Sequence, residues 1–174
     1  MNSQLVEIYL DAENDVRNNN YTEAFKKYDS ILFDEPGNAA THNSLGWIYK
    51  TQMDNYAKAE NHYLAAIKSE PDYPYAYTNY CILLMDQERF ADLEKLIQKA
   101  LKIPTTDKAQ LYYRLALANE MQLKFEEAIS FYEKAILFSL NDEKIKSYRE
   151  DIARIEEKKQ IAKKQSNWLG KLKL

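Results

Sequence analysis

The chain has 174 residues, 45% of them hydrophobic and 29% charged, a composition that folds instead of staying disordered and a length that can bury a core. Three glycines and four prolines are too few for the turns of a β-sandwich or barrel, or for the phosphate loops of a Rossmann-type enzyme. The single cysteine, Cys81, excludes an internal disulfide framework, and the net charge of −3 argues against a general nucleic-acid binder.

The first fifteen residues hold Glu7, Asp11, Glu13 and Asp15 without a basic n-region, so they do not read as a signal peptide. No run approaches the ~18 apolar residues of a membrane span. A cytoplasmic protein without membrane insertion is expected.

Helical periodicity begins at Ile8 and Ala12. It resumes from Tyr21 through Ala24, Tyr28 and Ile31, where each step of three or four keeps the residue on one helix face. The pattern then repeats. The anchors Tyr21, Tyr56, Phe90 and Phe125 are followed at fixed offsets by Ala24, Ala59, Leu93 and Ala128, by Tyr28, Tyr63, Ile97 and Tyr132, and by Ile31, Ala66, Ala100 and Ala135. A second helix precedes each anchor, with small residues at one recurring position, Ala12, Gly46, Cys81 and Ala116. Two backbones cross closely there, which makes Cys81 a buried packing residue. Turns fall at Glu35-Pro36-Gly37-Asn38, Glu70-Pro71-Asp72, Ile103-Pro104-Thr105-Thr106-Asp107 and Ser139-Leu140-Asn141-Asp142, with Thr106 or Asp107 as the cap of the next helix. Residues 142–165 continue as a helix with Ile145, Tyr148, Ile152 and Ile155 on one stripe. Gln165-Ser166-Asn167 reads as a break before a basic tail, residues 166–174, whose composition suits a disordered terminus.

This arrangement resembles the tetratricopeptide repeat, a helix–turn–helix unit of about 34 residues. The second copy matches best, through Leu45-Gly46, Tyr49, Tyr56, Ala59, Tyr63, Ala66 and Pro71, with one extra residue in its turn. Asp11 in the first copy and Leu93 in the third depart from the pattern. The resemblance implies an all-α, right-handed superhelical solenoid of four repeats, residues 5–38, 39–73, 74–108 and 109–142. Helix 142–165 caps the last apolar face, and residues 1–165 form one domain.

The family lines its concave face with the first helix of each pair. The positions turned inward are then Tyr9, Glu13 and Val16; Asn43, Trp47 and Lys50; Tyr75, Thr78, Ile82 and Met85; and Gln110, Tyr113, Leu117, Glu120 and Met121. Trp47, Ile82 and Leu117 occupy equivalent places and would form an apolar stripe flanked by Tyr9, Tyr75 and Tyr113, a surface suited to peptide capture. Some chaperone-binding members clamp a C-terminal carboxylate with Lys, Asn and Arg. Asn79 and Arg114 match that clamp, whereas Asn43, Trp47 and Gln110 stand where the family has Lys, Asn and Lys. Two of three cations are missing, and charge-assisted bonds carry most of such recognition, so a full clamp is not expected. Arg114 with Asn79 would hold at most one acidic group, or Arg114 pairs with a surface acid such as Asp86.

Residues 1–140 carry a net charge of −7 and residues 141–174 a net of +4, with six lysines and no acid from 158 onward. The basic end is open to three readings: a solvated terminus, docking on its own or a neighbour's groove, or contact with an anionic surface. His42 stands at a packing position and His62 beside Tyr63 at the surface, in no metal-ligand spacing. No nucleophile elbow or P-loop is present, and no metal, cofactor or catalytic residue is expected. The expected function is non-enzymatic protein binding in the groove, as adaptor, co-chaperone or assembly factor. The alternatives are a scaffold self-associating through the last helix or tail, and a small secretion-type chaperone.

Overall fold

In a computed structural model, the backbone of residues 3–171 and the side chains of residues 3–164 are described. Among them are nine helices and no strand: α1 (Ser3–Arg17), α2 (Tyr21–Asp34), α3 (Ala39–Gln52), α4 (Tyr56–Ser69), α5 (Pro74–Asp86), α6 (Phe90–Ala100), α7 (Lys108–Met121), α8 (Phe125–Phe138) and α9 (Asp142–Lys171). Each of the four aromatic anchors opens a helix, and the fold class is the expected helical-repeat solenoid with a C-terminal cap. The chain divides into two compact units, Met1–Gln87 and Glu88–Leu174.

In unit 1, Ala24, Tyr28 and Ile31 of α2 are fully buried with Leu5, Ala12, Leu45 and Ile48. Gly46 is needed for a close approach: a Cβ there would lie 2.6 Å from Cε1 of the fully buried Tyr63. In unit 2, Ala128, Tyr132 and Ala135 of α8 pack with Ala116 of α7 and with Tyr148 and Ile155 of α9. The apolar stripe of α9 is therefore consumed as a cap.

The turns inside the repeats share one backbone device. Asn19, Asp54, Glu88 and Leu123 each adopt positive φ (61°, 48°, 54° and 60°), two residues before an anchor. The Asn20 N–H bonds Asp15 O and the Lys124 N–H bonds Asn119 O, which closes two of these helix ends in Schellman fashion. In the second repeat the Asn55 N–H reaches back six residues to Tyr49 O instead, and that longer span absorbs the extra residue. Asn38, Asn55, Asp107 and Asn141 cap the following helices through their side chains. Thr106 does not serve as the cap. It is buried, and its hydroxyl donates to the carbonyls of Ala100 and Ile103.

One boundary differs from expectation. The α9 backbone runs through Gln165-Ser166-Asn167 to Lys171, so residues 166–171 continue the helix instead of breaking from it. Gln, Ser and Asn each cost only a few tenths of a kcal/mol in a helix interior (at most ~0.7), and the chain meets neither Gly nor Pro there before Gly170.

Candidate functional site

In unit 1, Glu13 and Val16 of α1, Tyr28 of α2, Asn43, Ser44 and Trp47 of α3, and Asn79 of α5 line a cavity of about 250 Å³. Its polar groups are tied together. Tyr28 Oη donates to Glu13 Oε1 at 2.6 Å and Ser44 Oγ donates to the same oxygen at 2.6 Å. Tyr9 Oη lies 3.1 Å from Ser44 Oγ. Asn79 Nδ2 donates to Asn43 Oδ1 at 2.9 Å. Burial, reinforced by the Glu13 charge, holds the Tyr28 and Tyr9 hydroxyls well above their ordinary range, so both remain protonated donors.

Of the expected groove residues in unit 1, Asn43, Trp47 and Asn79 come together here. Glu13 and Val16 join them, and Ser44 and Tyr28, which the groove register does not include, complete the lining. Tyr28 belongs to the packing stripe of α2, and its hydroxyl joins the Glu13 network. Thr78 bonds its own helix at Pro74 O, 3.2 Å away. Tyr75 is 64% exposed, its ring 5.5 Å from that of Tyr73. Ile82 and Met85 are half-buried on α5. Lys50 Nζ contacts Asp86 at 2.5 Å, so the acid offered to Arg114 is held by a lysine of unit 1.

In unit 2, α7 supplies the expected residues. Tyr113 stacks on Tyr148 with centroids 5.2 Å apart and meets Tyr132 edge-on at 5.9 Å. Leu117 packs against the same cluster. Both contribute to capping contacts with α8 and α9. The Nε of Arg114 is buried without a hydrogen-bond partner, Gln110 is half-buried, and Met121 is exposed. Glu120 is only 7% exposed and accepts from Arg154 Nε and Nη2 (3.1 and 2.8 Å) and from Lys158 Nζ (2.7 Å). Burial alone would raise its carboxyl, yet these cations outweigh that and hold it below the usual range.

His62 is not a surface residue. It is half-buried, its Nδ1 lies 2.9 Å from Nδ1 of His42, and its ring stacks on Tyr49 at 5.3 Å. His42 Nε2 lies 2.9 Å from Pro36 O. Burial, then the neighbouring His42 and Lys58, lowers His62 to about 4.

The family described as Tetratricopeptide repeat matches at residues 39–73 and 109–142, the second and fourth copies. Those two copies are tetratricopeptide repeats by sequence. No curated protein matches its sequence. Three similar solved structures share its fold. Pseudomonas aeruginosa pilF has a TM-score of 0.77 at 18% identity, over 90% of this chain and 69% of that one. MamA from Desulfovibrio magneticus RS-1 has a TM-score of 0.74 at 16% identity, over 98% and 94%. The first TPR of Spaghetti (RPAP3), bound to the HSP90 peptide SRMEEVD, has a TM-score of 0.58 at 22% identity, over 68% and 90%. Among the described residues, no helix is long and apolar enough to cross a membrane.

Proposed function

We propose that this protein is a non-enzymatic interaction module that holds an extended segment of a partner protein against its first-of-pair helices. The observation that carries this reading is the unit 1 cavity. Four helices, α1, α2, α3 and α5, send polar or aromatic side chains into it, and Trp47 remains half-buried there. A half-buried indole beside a hydrogen-bonded pair of amides resembles the aromatic anchors of peptide-binding surfaces. The peptide carried by the Spaghetti domain supports the same use of the fold. Tyr9, Asn43, Trp47, Thr78, Asn79, Ile82, Met85 and the exposed Tyr75 are the contact residues proposed for unit 1. Tyr113, Arg114, Leu117 and Met121 offer the corresponding face of α7.

Self-association through the α9 stripe is less well supported, because Tyr148 and Ile155 are already buried in unit 2. An adaptor or assembly-factor role in the cytoplasm is the form of this function that we favour.

Affinity capture from the native lysate tests the reading. A Trp47→Ala/Asn79→Ala variant with unchanged circular dichroism is expected to lose the partner that wild type retains. Equal retention by both would remove the cavity from the working surface.

A further inference from the structure

We propose that the unit 1 cavity receives a single lysine or arginine side chain of a basic partner segment. This deepens the peptide-binding reading and rests on it. The cavity, at about 250 Å³, is smaller than the roughly 300–1,000 Å³ of small-molecule sites. It has room for one long side chain.

The chemistry of the lining selects the charge. Glu13 Oε1 takes both hydroxyl donors, Tyr28 and Ser44, and among the described residues no lysine or arginine pairs with this carboxylate. The lysines of α2 and α3 are occupied elsewhere: Lys27 with Asp11 and Asp15, Lys26 with Glu23, Lys50 with Asp86. Oε2 of Glu13 therefore offers uncommitted acceptor capacity. Asn79 spends its amide N–H on Asn43, which leaves Asn79 Oδ1 as a second acceptor. The Trp47 indole supplies a π-system, which attracts a cation when desolvated. An anionic group would meet the like charge of Glu13 with no cation to offset it.

The surroundings act in the same sense. Residues 1–87 hold 13 Asp and Glu against 6 Lys and Arg, a net of −7. All of the chain's acidic excess lies in this unit, since residues 88–174 hold 14 against 18. Such a field concentrates basic segments near the cavity.

The test uses the full-length, isotope-labelled chain at physiological ionic strength, where distant exposed charges are screened. The probes are the capped tripeptides Gly-Lys-Gly, Gly-Arg-Gly, Gly-Leu-Gly and Gly-Glu-Gly. Nuclear magnetic resonance follows the indole N–H of Trp47 and the side-chain amides of Asn43 and Asn79. The Lys and Arg peptides are expected to shift these signals saturably, and the Glu peptide to leave them in place. Glu13→Gln keeps the acceptor for Tyr28 and Ser44 and is expected to weaken binding about tenfold or more, whereas Asp29→Asn, the same charge change at an exposed position of α2, alters it less than about twofold. Equal response to all four peptides would overturn the cation assignment and leave the peptide-binding reading intact. So would equal effects of Glu13→Gln and Asp29→Asn. Absence of any response at Trp47 would overturn both. A concentration-dependent shift of the same signals without peptide would put a second copy's lysines in the cavity and overturn the assignment to a separate partner.

Discussion

Tyr28, Tyr63 and Tyr132 occupy the same position in three repeats and are all fully buried, yet their hydroxyls meet different fates. Tyr28 donates to a carboxylate, whereas the hydroxyls of Tyr63 and Tyr132 are buried without a partner. A buried hydroxyl left unpaired costs about 1–3 kcal/mol, and a hydrogen bond to a charged group contributes about 1.5–3 kcal/mol. The same substitution should then have opposite signs. Tyr28→Phe is expected to lower stability by about 1–2 kcal/mol and Tyr63→Phe to leave it unchanged or raise it by up to ~1 kcal/mol, as read from urea unfolding midpoints. Equal losses in both would mean that Tyr63 finds a partner.

The burial of these tyrosines follows from spacing alone, so it is legible in the sequence; whether a hydroxyl meets a partner depends on what packs across from it, for Tyr28 on Glu13 fifteen residues away, and is not. The histidines show the same limit. Their pairing across 20 residues depends on how α3 and α4 rotate against each other, and it has a pH signature. Folded His62 titrates at about 4, below the unfolded value of ~6.5, so between these values the unfolded chain binds more protons. Its stabilising contribution is complete above pH ~6.5 and is lost as pH falls toward 4. Discounted for partial exposure, the loss is about 1–2 kcal/mol. His62→Gln should flatten the difference in stability between pH 7 and pH 5 by that amount, and an unchanged profile would show that the imidazole does not sense the fold.

At the scale of elements, what the sequence conceals is backbone conformation. The positive-φ position recurs in all four turns inside the repeats, but Asn, Asp, Glu and Leu fill it, so the usual glycine signal is missing. Leu123 is the costly case: it is 71% exposed and buries little in return. A left-handed conformation costs a residue of this kind about 1–2 kcal/mol, and Asn tolerates it far better. Asn already fills the equivalent place at residue 19. Leu123→Asn is expected to stabilise the protein by about 0.5–1 kcal/mol, a rise in thermal midpoint. A fall would show that the leucine side chain packs usefully in solution. The opposite kind of misreading occurs in α9. A polar triplet looks like a loop by composition, but composition is a weak prior against an uninterrupted helical backbone.

For the molecule as a whole, a repeat fold ends well only if its last apolar face is covered, and in unit 2 that cover is held by charge as well as by packing. The stripe of Tyr148, Ile152 and Ile155 announces an apolar face in the sequence. Glu120, by contrast, reads there as one more groove position. Only the packing of α9 on α8 and α7 reveals that Arg154 and Lys158 converge on it from successive turns of the same helix. The carboxylate is nearly buried while both cations are partly exposed. Removing the cations is therefore worse than removing the charge they serve. Arg154→Ala/Lys158→Ala leaves an ionised group without compensation and is expected to destabilise the docking of α9 by about 3 kcal/mol, the low end for a broken buried pair. Adding Glu120→Leu to that double variant removes the orphaned charge, and apolar replacement of a whole buried network is often close to neutral. The triple variant should recover most of the loss, read as hydrogen-exchange protection along α9 between Tyr148 and Lys158. Should the triple variant be no better protected than the double, the cap would owe its hold to the aromatic cluster of Tyr113, Tyr132 and Tyr148 instead, and Tyr148→Leu would then be the substitution that releases it.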